Sequence, residues 1–123
     1  MPPTSKKTLV LGASANPSRY SYLAVNKLRE HHHPVVAIGK TTAVVADVAV
    51  QSETSPIQDL DTVTLYLNPV NQKNYYNYIL EQHPHRVIFN PGAENPEFEK
   101  ILSGKGIQIV EACTLVLLAT GQY

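Results

Sequence analysis

Short, continuous apolar runs rich in branched residues recur along the chain. They occupy residues 8–11, 35–38, 63–67, 87–89 and 107–110. Runs of this kind, without clean alternation, are typical of strands that are buried on both faces of a parallel sheet. Segments with helical spacing lie between them, at residues 22–29, 70–80 and 98–102. This order predicts an α/β fold, a Rossmann-like three-layer sandwich with a mostly parallel sheet of about five strands.

Two segments depart from the alternation. Residues 41–56 contain Val44-Val45 and Val48-Ala49-Val50 among Ser, Thr and Pro, without a long helical period. We predict one short extra strand there, with turns in place of the second crossover helix. The apolar residues 112–118 predict a last helix that packs on the sheet and ends near Gly121. Because 123 residues correspond to about one domain, residues 1–123 are interpreted as a single domain.

The charge balance excludes some classes of ligand. Ten Lys and Arg against ten Asp and Glu leave a formal net charge of zero, whereas general nucleic-acid and membrane-surface binders need a basic excess. Charged residues make up only 16% of the chain, which makes a homo-oligomer or a protein partner plausible. One cysteine, Cys113, excludes an internal disulfide framework. The first residues lack the apolar region of a signal peptide, so we expect a cytoplasmic protein.

Four Asn-Pro pairs begin at Asn16, Asn68, Asn90 and Asn95. Asn is a favoured helix N-cap, and Pro at the first helical position loses no hydrogen bond. We therefore predict that Asn16, Asn68 and Asn95 each open a helix, and that Asn90 begins a turn after the fourth strand. All of these strand ends lie on one edge of a parallel sheet, where ligands of open α/β sheets bind. The alternative is that the pairs are only good caps.

The loop after the first strand carries the strongest local signal. Gly12 permits a tight turn, and the helix predicted to follow from Asn16 would present N–H groups to an anion, with Arg19 as a second phosphate contact. The dinucleotide pattern G-x-G-x-x-G is absent, because Ser14 and Pro17 occupy its later glycine positions.

The residues at the end of the second strand discriminate further between possible nucleotide ligands. Lys40 follows this strand where an NAD site usually carries an acidic residue. A lysine attracts a phosphorylated ribose, which favours coenzyme A (CoA) or NADP. The alternative is that Lys40 is a solvated turn residue.

Together these stretches resemble the small CoA-binding domain family, the Rossmann-like unit at the front of succinyl-CoA synthetase alpha subunits. The resemblance rests on the Gly-Ala-Ser-x-x-Pro loop at residues 12–17, on DTVTLYLNP at 61–69, and on FNPGAEN at 89–95 followed by VEAC at 110–113. It runs in order and with comparable spacing from about residue 7 to the end. The sequence departs from the common family pattern at Ser21, where glycine is frequent, and at Gly39-Lys40, where Asn-Pro is frequent.

The resemblance implies that CoA is the bound cofactor. It would put the loop at 12–17 and Arg19 near the phosphates and residues 38–40 near the adenosine, with residues 67–69 and 90–92 lining the crevice. The cofactor-binding residues predicted on this basis are Gly12, Ala13, Ser14, Asn16, Pro17, Arg19, Ile38, Gly39, Lys40, Leu67, Asn68, Pro69, Asn90, Pro91 and Gly92.

Five histidines cluster in two helix-to-strand turns, at His31, His32 and His33 and at His83 and His85. Adjacent residues on a helix point in different directions, whereas a helical metal pair needs i, i+4 spacing. Imidazolium is favoured at a helix C-terminus. We predict solvated helix ends at the edge opposite the ligand site, and no metal site.

Residues after the fifth strand offer little for catalysis. No cation adjoins Cys113 in the sequence, which favours a buried, inert thiol; the alternative is a mixed disulfide with the pantetheine sulfur. Glu111 has the chemistry of a general base, but no paired acid or nucleophile is visible, so no catalytic residue is predicted. Tyr75, Tyr76 and Tyr78 are expected to pack internally or in an interface, because no basic residues interleave with them.

The hypothesis from the sequence is a CoA or acyl-CoA binding protein without catalysis of its own. The synthetases' phosphohistidine segment and nucleotide-grasping domain have no counterpart in 123 residues, so the resemblance supports binding and not ligase activity. One alternative is a small NADP- or acyl-CoA-dependent enzyme. Another is a regulatory or interaction module that responds to CoA.

Overall fold

One seven-stranded sheet organises the protein, and the computed structural model describes residues 5–123. The strands are β1 Thr8–Ala13, β2 Val35–Gly39, β3 Ala43–Val45, β4 Val48–Gln51, β5 Thr62–Leu65, β6 Arg86–Phe89 and β7 Gln108–Glu111. The helices are α1 Tyr20–Glu30, α2 Pro69–Gln72, α3 Tyr76–Gln82, α4 Pro96–Gly104 and α5 Thr114–Ala119, with a 3-10 turn at Lys73–Tyr75. The spatial order is β3-β4-β2-β1-β5-β6-β7, and among the described strands only β3 runs antiparallel to its neighbour. The Rossmann-like α/β prediction is confirmed.

The prediction of about five strands was wrong at one edge of the sheet. Residues 41–56 contain a hairpin, β3 and β4, rather than one extra strand. Its turn is Ala46-Asp47, and Ala46 adopts a left-handed conformation with φ of 55°. The Arg29 guanidinium of α1 donates hydrogen bonds of 2.8 and 2.9 Å to the Asp47 carboxylate, which fixes the hairpin against the helix. The sequence carries no Gly or Asn at this turn, so the usual hairpin signal is missing.

The core has two layers because the central strands are buried on both faces. Leu9 and Leu11 of β1 face one layer, which Phe98 of α4 covers, while Val10 faces the other, which Leu28 of α1 covers. All five side chains are 0% exposed. Each contributes roughly 1.5–3 kcal/mol by leaving water. This double burial explains why the strand segments read as continuous apolar runs.

The two halves of the sheet meet at β1, which pairs with β2 on one side and β5 on the other. This is the switch point at which open α/β sheets form a ligand crevice. Gly12 has a φ of +93° there, and a Cβ at this position would lie 2.7 Å from the carbonyl oxygen of Tyr66. Glycine is therefore required for the close approach of the loops that follow β1 and β5.

At the opposite edge of the sheet, four of the five histidines are exposed as predicted, at His31, His32, His83 and His85. The prediction was wrong for His33, which is only 7% exposed. Its Nδ1 accepts a 2.8 Å hydrogen bond from the backbone N–H of Lys6, and its ring packs 4.8 Å from that of Tyr123. Burial lowers the pKa of His33, and nearby cationic side chains add to this effect. Both partners are distant in sequence, so local spacing gave no sign of them.

Within residues 5–123, the helices are too short or too polar to cross a bilayer.

Candidate functional site

A cleft of about 720 Å³ opens at the carboxyl edge of the sheet, between the loops that follow β1, β2, β5 and β6. This volume lies within the usual range of small-molecule sites. Most of the predicted site residues line it, namely Gly12, Ala13, Ser14, Arg19, Ile38, Gly39, Lys40, Leu67, Asn68, Pro91 and Gly92. Four predicted residues do not belong to the lining: Asn16, Pro17, Pro69 and Asn90.

The loop after β1 ends in a turn rather than in the predicted helix start. The Asn16 side-chain oxygen accepts hydrogen bonds from the backbone N–H and the hydroxyl of Ser18, at 3.0 and 2.8 Å. Helix α1 begins at Tyr20, with Arg19 as its N-cap. The prediction that Asn16 opens the helix was therefore wrong, because its side chain closes a local turn instead.

This shift changes which backbone groups face the cleft. The first N–H groups of a helix have no intrahelical acceptor. The N–H of Arg19 donates to the Asn16 carbonyl oxygen, and that of Tyr22 donates to the Arg19 carbonyl oxygen. Within residues 5–123, this leaves the N–H groups of Tyr20 and Ser21 without a backbone acceptor. Both of these residues line the cleft. The first turn of the 11-residue helix α1, which carries the positive end of the helix dipole, thus faces the cleft.

Two cationic side chains stand on the same side of the cleft. Arg19 precedes α1 and Lys40 follows β2; both are exposed and both line the cleft. Neither forms an ion pair with any of residues 5–123. Their charges are therefore available to an anionic ligand.

Gly39 determines how closely the strand ends meet under these cations. A Cβ at Gly39 would lie 2.1 Å from the carbonyl oxygen of Ala13, closer than any real Cβ contact. Ile38 beside it is 1% exposed and still contributes to the lining. The glycine that departs from the common family pattern is thus required by the packing of β2 against β1.

The opposite side of the cleft is formed by uncharged amides. Asn68 caps α2 as predicted, since its side-chain oxygen accepts a 2.9 Å hydrogen bond from the N–H of Asn71, and Pro69 is the first residue of the helix. Asn71 and Asn74 line the cleft beside Asn68. They follow Asn68 at intervals of three residues, and this helical spacing is the signal that could have identified them.

Further lining residues were also missed: Ala15, Tyr20, Ser21, Thr41, Ala43, Tyr66, Tyr75 and Ala93. Most are neighbours of predicted residues, so a wider window around each loop would have included them. Tyr66 and Tyr75 contribute aromatic side chains to the lining, and the direction of a side chain becomes known only from the structure.

A buried amide network joins the amide side of the cleft to α4. Gln72 is 0% exposed. Its amide nitrogen donates to the carbonyl oxygens of Leu67 at 2.8 Å and Ala93 at 2.7 Å. Asn95 donates to the Gln72 side-chain oxygen at 2.9 Å and caps α4 through the N–H of Phe98, as predicted. These bonds hold the loops after β5 and β6 in fixed relation.

Asn90 is part of the scaffold beneath the cleft. Its side chain is buried, at 2% exposure. The amide nitrogen donates to the Thr64 hydroxyl at 2.7 Å and to the Leu65 carbonyl oxygen at 2.9 Å. The amide oxygen accepts from the N–H of Thr114 at 2.8 Å. With both ends engaged, this side chain joins β5, β6 and α5 and does not face a ligand.

Tyr66 contributes the most perturbed phenol of the cleft. Burial raises its pKa to about 12, against a smaller opposite effect of the Thr114 and Thr64 hydroxyls. The buried hydroxyl has no hydrogen-bond partner of standard geometry within residues 5–123. With its hydroxyl buried and its phenolate disfavoured, Tyr66 presents an apolar wall to the cleft.

The remaining candidates lie outside the cleft lining. Glu111 is exposed, and a hydrogen bond with Glu99, together with the negative charge of Glu99, raises the pKa of the Glu111 carboxyl. Cys113 is half-buried at the start of α5. No group of three metal-ligating side chains occurs in the part of the chain that the structure describes.

The tyrosines of the segment after β5 have different roles. Tyr76 stacks on Phe98 with ring centroids 4.1 Å apart, and the Tyr78 hydroxyl donates to the backbone oxygen of Ser55. Packing or an interface was expected for all three tyrosines, and Tyr75, Tyr76 and Tyr78 all pack against the same side of the core. Tyr75 also lines the cleft.

Comparisons with known proteins identify the family and the fold of the chain. The family model described as a CoA binding domain matches residues 6–119. The crystal structure of an uncharacterized protein is 48% identical, with a TM-score of 0.95, and the match covers 98% of this chain and 100% of that one. A protein from Thermus thermophilus is 23% identical, with a TM-score of 0.81 and coverage of 97% of this chain and 91% of that one. A hypothetical protein from Pyrococcus horikoshii is also 23% identical, with a TM-score of 0.82 and coverage of 92% and 81%. The last two support the fold alone, and no curated protein matches the chain.

Proposed function

The chain belongs to the CoA binding domain family, and we propose that it binds CoA or an acyl-CoA in the cleft without catalysing a reaction of its own. The observation that carries this proposal is the convergence of Arg19, Lys40 and the first turn of α1 on one side of the cleft.

The phosphates of CoA account for this convergence. The N–H groups of Tyr20 and Ser21 and the positive end of α1 suit a pyrophosphate. Arg19, at the N-cap of the same helix, adds a guanidinium that can contact two phosphate oxygens at once. Because Arg19 has no acidic partner within residues 5–123, it can bind a phosphate without breaking an existing ion pair.

Lys40 supports CoA over a nucleotide with an unmodified ribose. It lies at the end of β2, beside Ile38 and Gly39, which form the wall that would accept the adenosine. An ammonium group there favours a ribose phosphate. NADP shares this feature, and the experiment below separates the two.

The absence of catalysis is proposed from the chemistry of the lining. Among the cleft's side chains, burial raises the pKa of Tyr66 to about 12, which disfavours its phenolate as a base. Cys113 and Glu111, the two reactive candidates in the sequence, are not among the lining residues. A cleft with cations, amides and neutral hydroxyls suits recognition of a polyanion, and it lacks the adjacent nucleophile and base that acyl transfer requires.

Isothermal titration calorimetry with CoA, acetyl-CoA, NAD and NADP tests the proposal. We expect CoA and acetyl-CoA to bind and NAD not to bind. The variant Arg19→Ala should weaken CoA binding by about 1.5–3 kcal/mol, the contribution of a charged hydrogen bond. Lys100→Ala is the control, since Lys100 is exposed on α4 and lies outside the cleft lining. NADP binding without CoA binding would overturn the proposal, and CoA turnover that needs Glu111 would overturn its non-catalytic part.

A further inference from the structure

The two sides of the cleft differ in charge. Arg19 and Lys40 stand on the side formed by the loops after β1 and β2. On the side formed by α2 and the following 3-10 turn, the amides of Asn68, Asn71 and Asn74 line the cleft, whereas Lys73 of the same turn is exposed and lies outside the lining. A ligand that spans the cleft therefore meets cations at one end and neutral hydrogen-bonding groups at the other.

Asn71 and Asn74 are free to bind a ligand. Asn71 lies in α2 and Asn74 in the 3-10 turn, three residues later. Residues three apart on a helical segment lie on the same face. Both side chains are exposed, and neither makes a side-chain hydrogen bond within residues 5–123. The side-chain oxygen of Asn68, by contrast, is used to cap α2.

An acidic residue reinforces the difference between the two sides. Glu94 accepts a 2.9 Å hydrogen bond from the N–H of Gly92, and Gly92 lines the cleft at this end. A carboxylate placed here disfavours a phosphate and leaves an uncharged chain unaffected. The neutral part of a ligand is therefore preferred on the amide side.

We propose that Asn71 and Asn74 bind the two amides of the pantetheine arm, an inference that rests on the proposed binding of CoA. Each asparagine offers both a donor and an acceptor, which is what an amide requires. The two amides of the arm are separated by one methylene more than neighbouring peptide units, so they repeat at about 5 Å. Side chains three residues apart on a helical segment have Cβ atoms roughly 5–6 Å apart. The spacing of the asparagines thus matches the spacing of the arm's amides.

This orientation fixes where the thiol end of the ligand emerges. With the phosphates at Arg19 and the arm along Asn71 and Asn74, the sulfur or acyl group points towards the turn at Pro91 and Gly92. An acyl group would then extend towards the rim of the cleft beside this turn.

The test compares two ligands on one double variant. Asn71→Ala/Asn74→Ala should weaken CoA binding by about tenfold to thirtyfold, the effect of two neutral hydrogen bonds. Binding of adenosine 3′,5′-bisphosphate, which lacks the arm, should change by less than about twofold, within the uncertainty of a single contact. Arg19→Ala should weaken both ligands. The control Asn77→Ala removes an exposed asparagine of α3 outside the cleft lining and should change neither.

The outcomes separate this inference from the proposed function. If wild-type protein binds CoA and the double variant binds it equally well, the amide side does not hold the arm. If the double variant weakens both ligands equally, the asparagines contact the nucleotide and the orientation is wrong. If the wild-type protein binds no CoA, the proposed function fails first. Circular dichroism and thermal unfolding of each variant check that the fold is retained.

Discussion

Replacing Asn90 by alanine should strongly destabilise the protein, because this side chain supports the cleft from beneath and does not face a ligand. The side chain is 2% exposed and makes three hydrogen bonds, to the Thr64 hydroxyl, the Leu65 carbonyl oxygen and the Thr114 N–H. Each intramolecular hydrogen bond contributes roughly 0.5–1.5 kcal/mol, and a buried group left without its partner costs about 1–3 kcal/mol. The Thr64 hydroxyl retains its bond to the Thr114 hydroxyl at 2.7 Å. The Leu65 and Thr114 backbone groups therefore dominate the loss, which we expect to be about 3–4 kcal/mol.

Urea unfolding followed by circular dichroism measures this loss. Small domains have a total stability of about 5–15 kcal/mol, so the shift in midpoint should be large. Asn68→Ala is the matched control, since it removes one exposed N-cap hydrogen bond and should cost about 1 kcal/mol. A loss below about 1 kcal/mol for Asn90→Ala would refute the structural role, because three buried hydrogen bonds cannot be removed at so small a cost.

Three further predictions follow from the structure. Lys40→Ala should weaken CoA binding by about fivefold to thirtyfold and leave dephospho-CoA within about twofold, as titration of both ligands would reveal; equal losses would show that Lys40 does not contact the ribose phosphate. Burial lowers the pKa of His33, so the unfolded chain binds the proton more tightly, and stability should fall as pH decreases from about 6.5 towards 5. A pH series of urea unfolding would show this loss, and His33→Gln should remove part of it; an unchanged slope would contradict the assignment. Gly39→Ala should cost about 3 kcal/mol or more in thermal unfolding, because its Cβ meets the Ala13 carbonyl oxygen at 2.1 Å. Gly104→Ala, with no atom within 4 Å of the added Cβ, should instead be neutral or stabilising by about 0.5–1 kcal/mol.

The sequence was most informative where burial alone determines the pattern. Strand β1 is buried on both faces, so its apolar run appears directly in the sequence. It was least informative where the deciding partner is remote. The hairpin turn at Asp47 is held by Arg29, 18 residues away, and His33 is held by the backbone of Lys6, 27 residues away. No local spacing encodes such contacts.

The same distinction applies to the cleft. Loops that follow strands could be assigned to it from strand order alone, and most of the predicted residues line it. Side-chain direction could not be assigned in this way. Asn90 follows its strand as predicted, yet its amide turns inward to Thr64 and Thr114. Asn16 shows the converse: it has a good capping side chain, but a nearer partner in Ser18.

A formal net charge of zero is compatible with binding a polyanion because charge acts locally. The Debye length is about 8–10 Å at physiological ionic strength, so distant acidic residues contribute little at the cleft. What matters is that Arg19 and Lys40 lack acidic partners within residues 5–123 and stand beside the positive end of α1. Glu94 lies at the other end of the same cleft. In the proposed complex, this separation of charge along the cleft would orient the CoA without requiring a net positive charge on the protein.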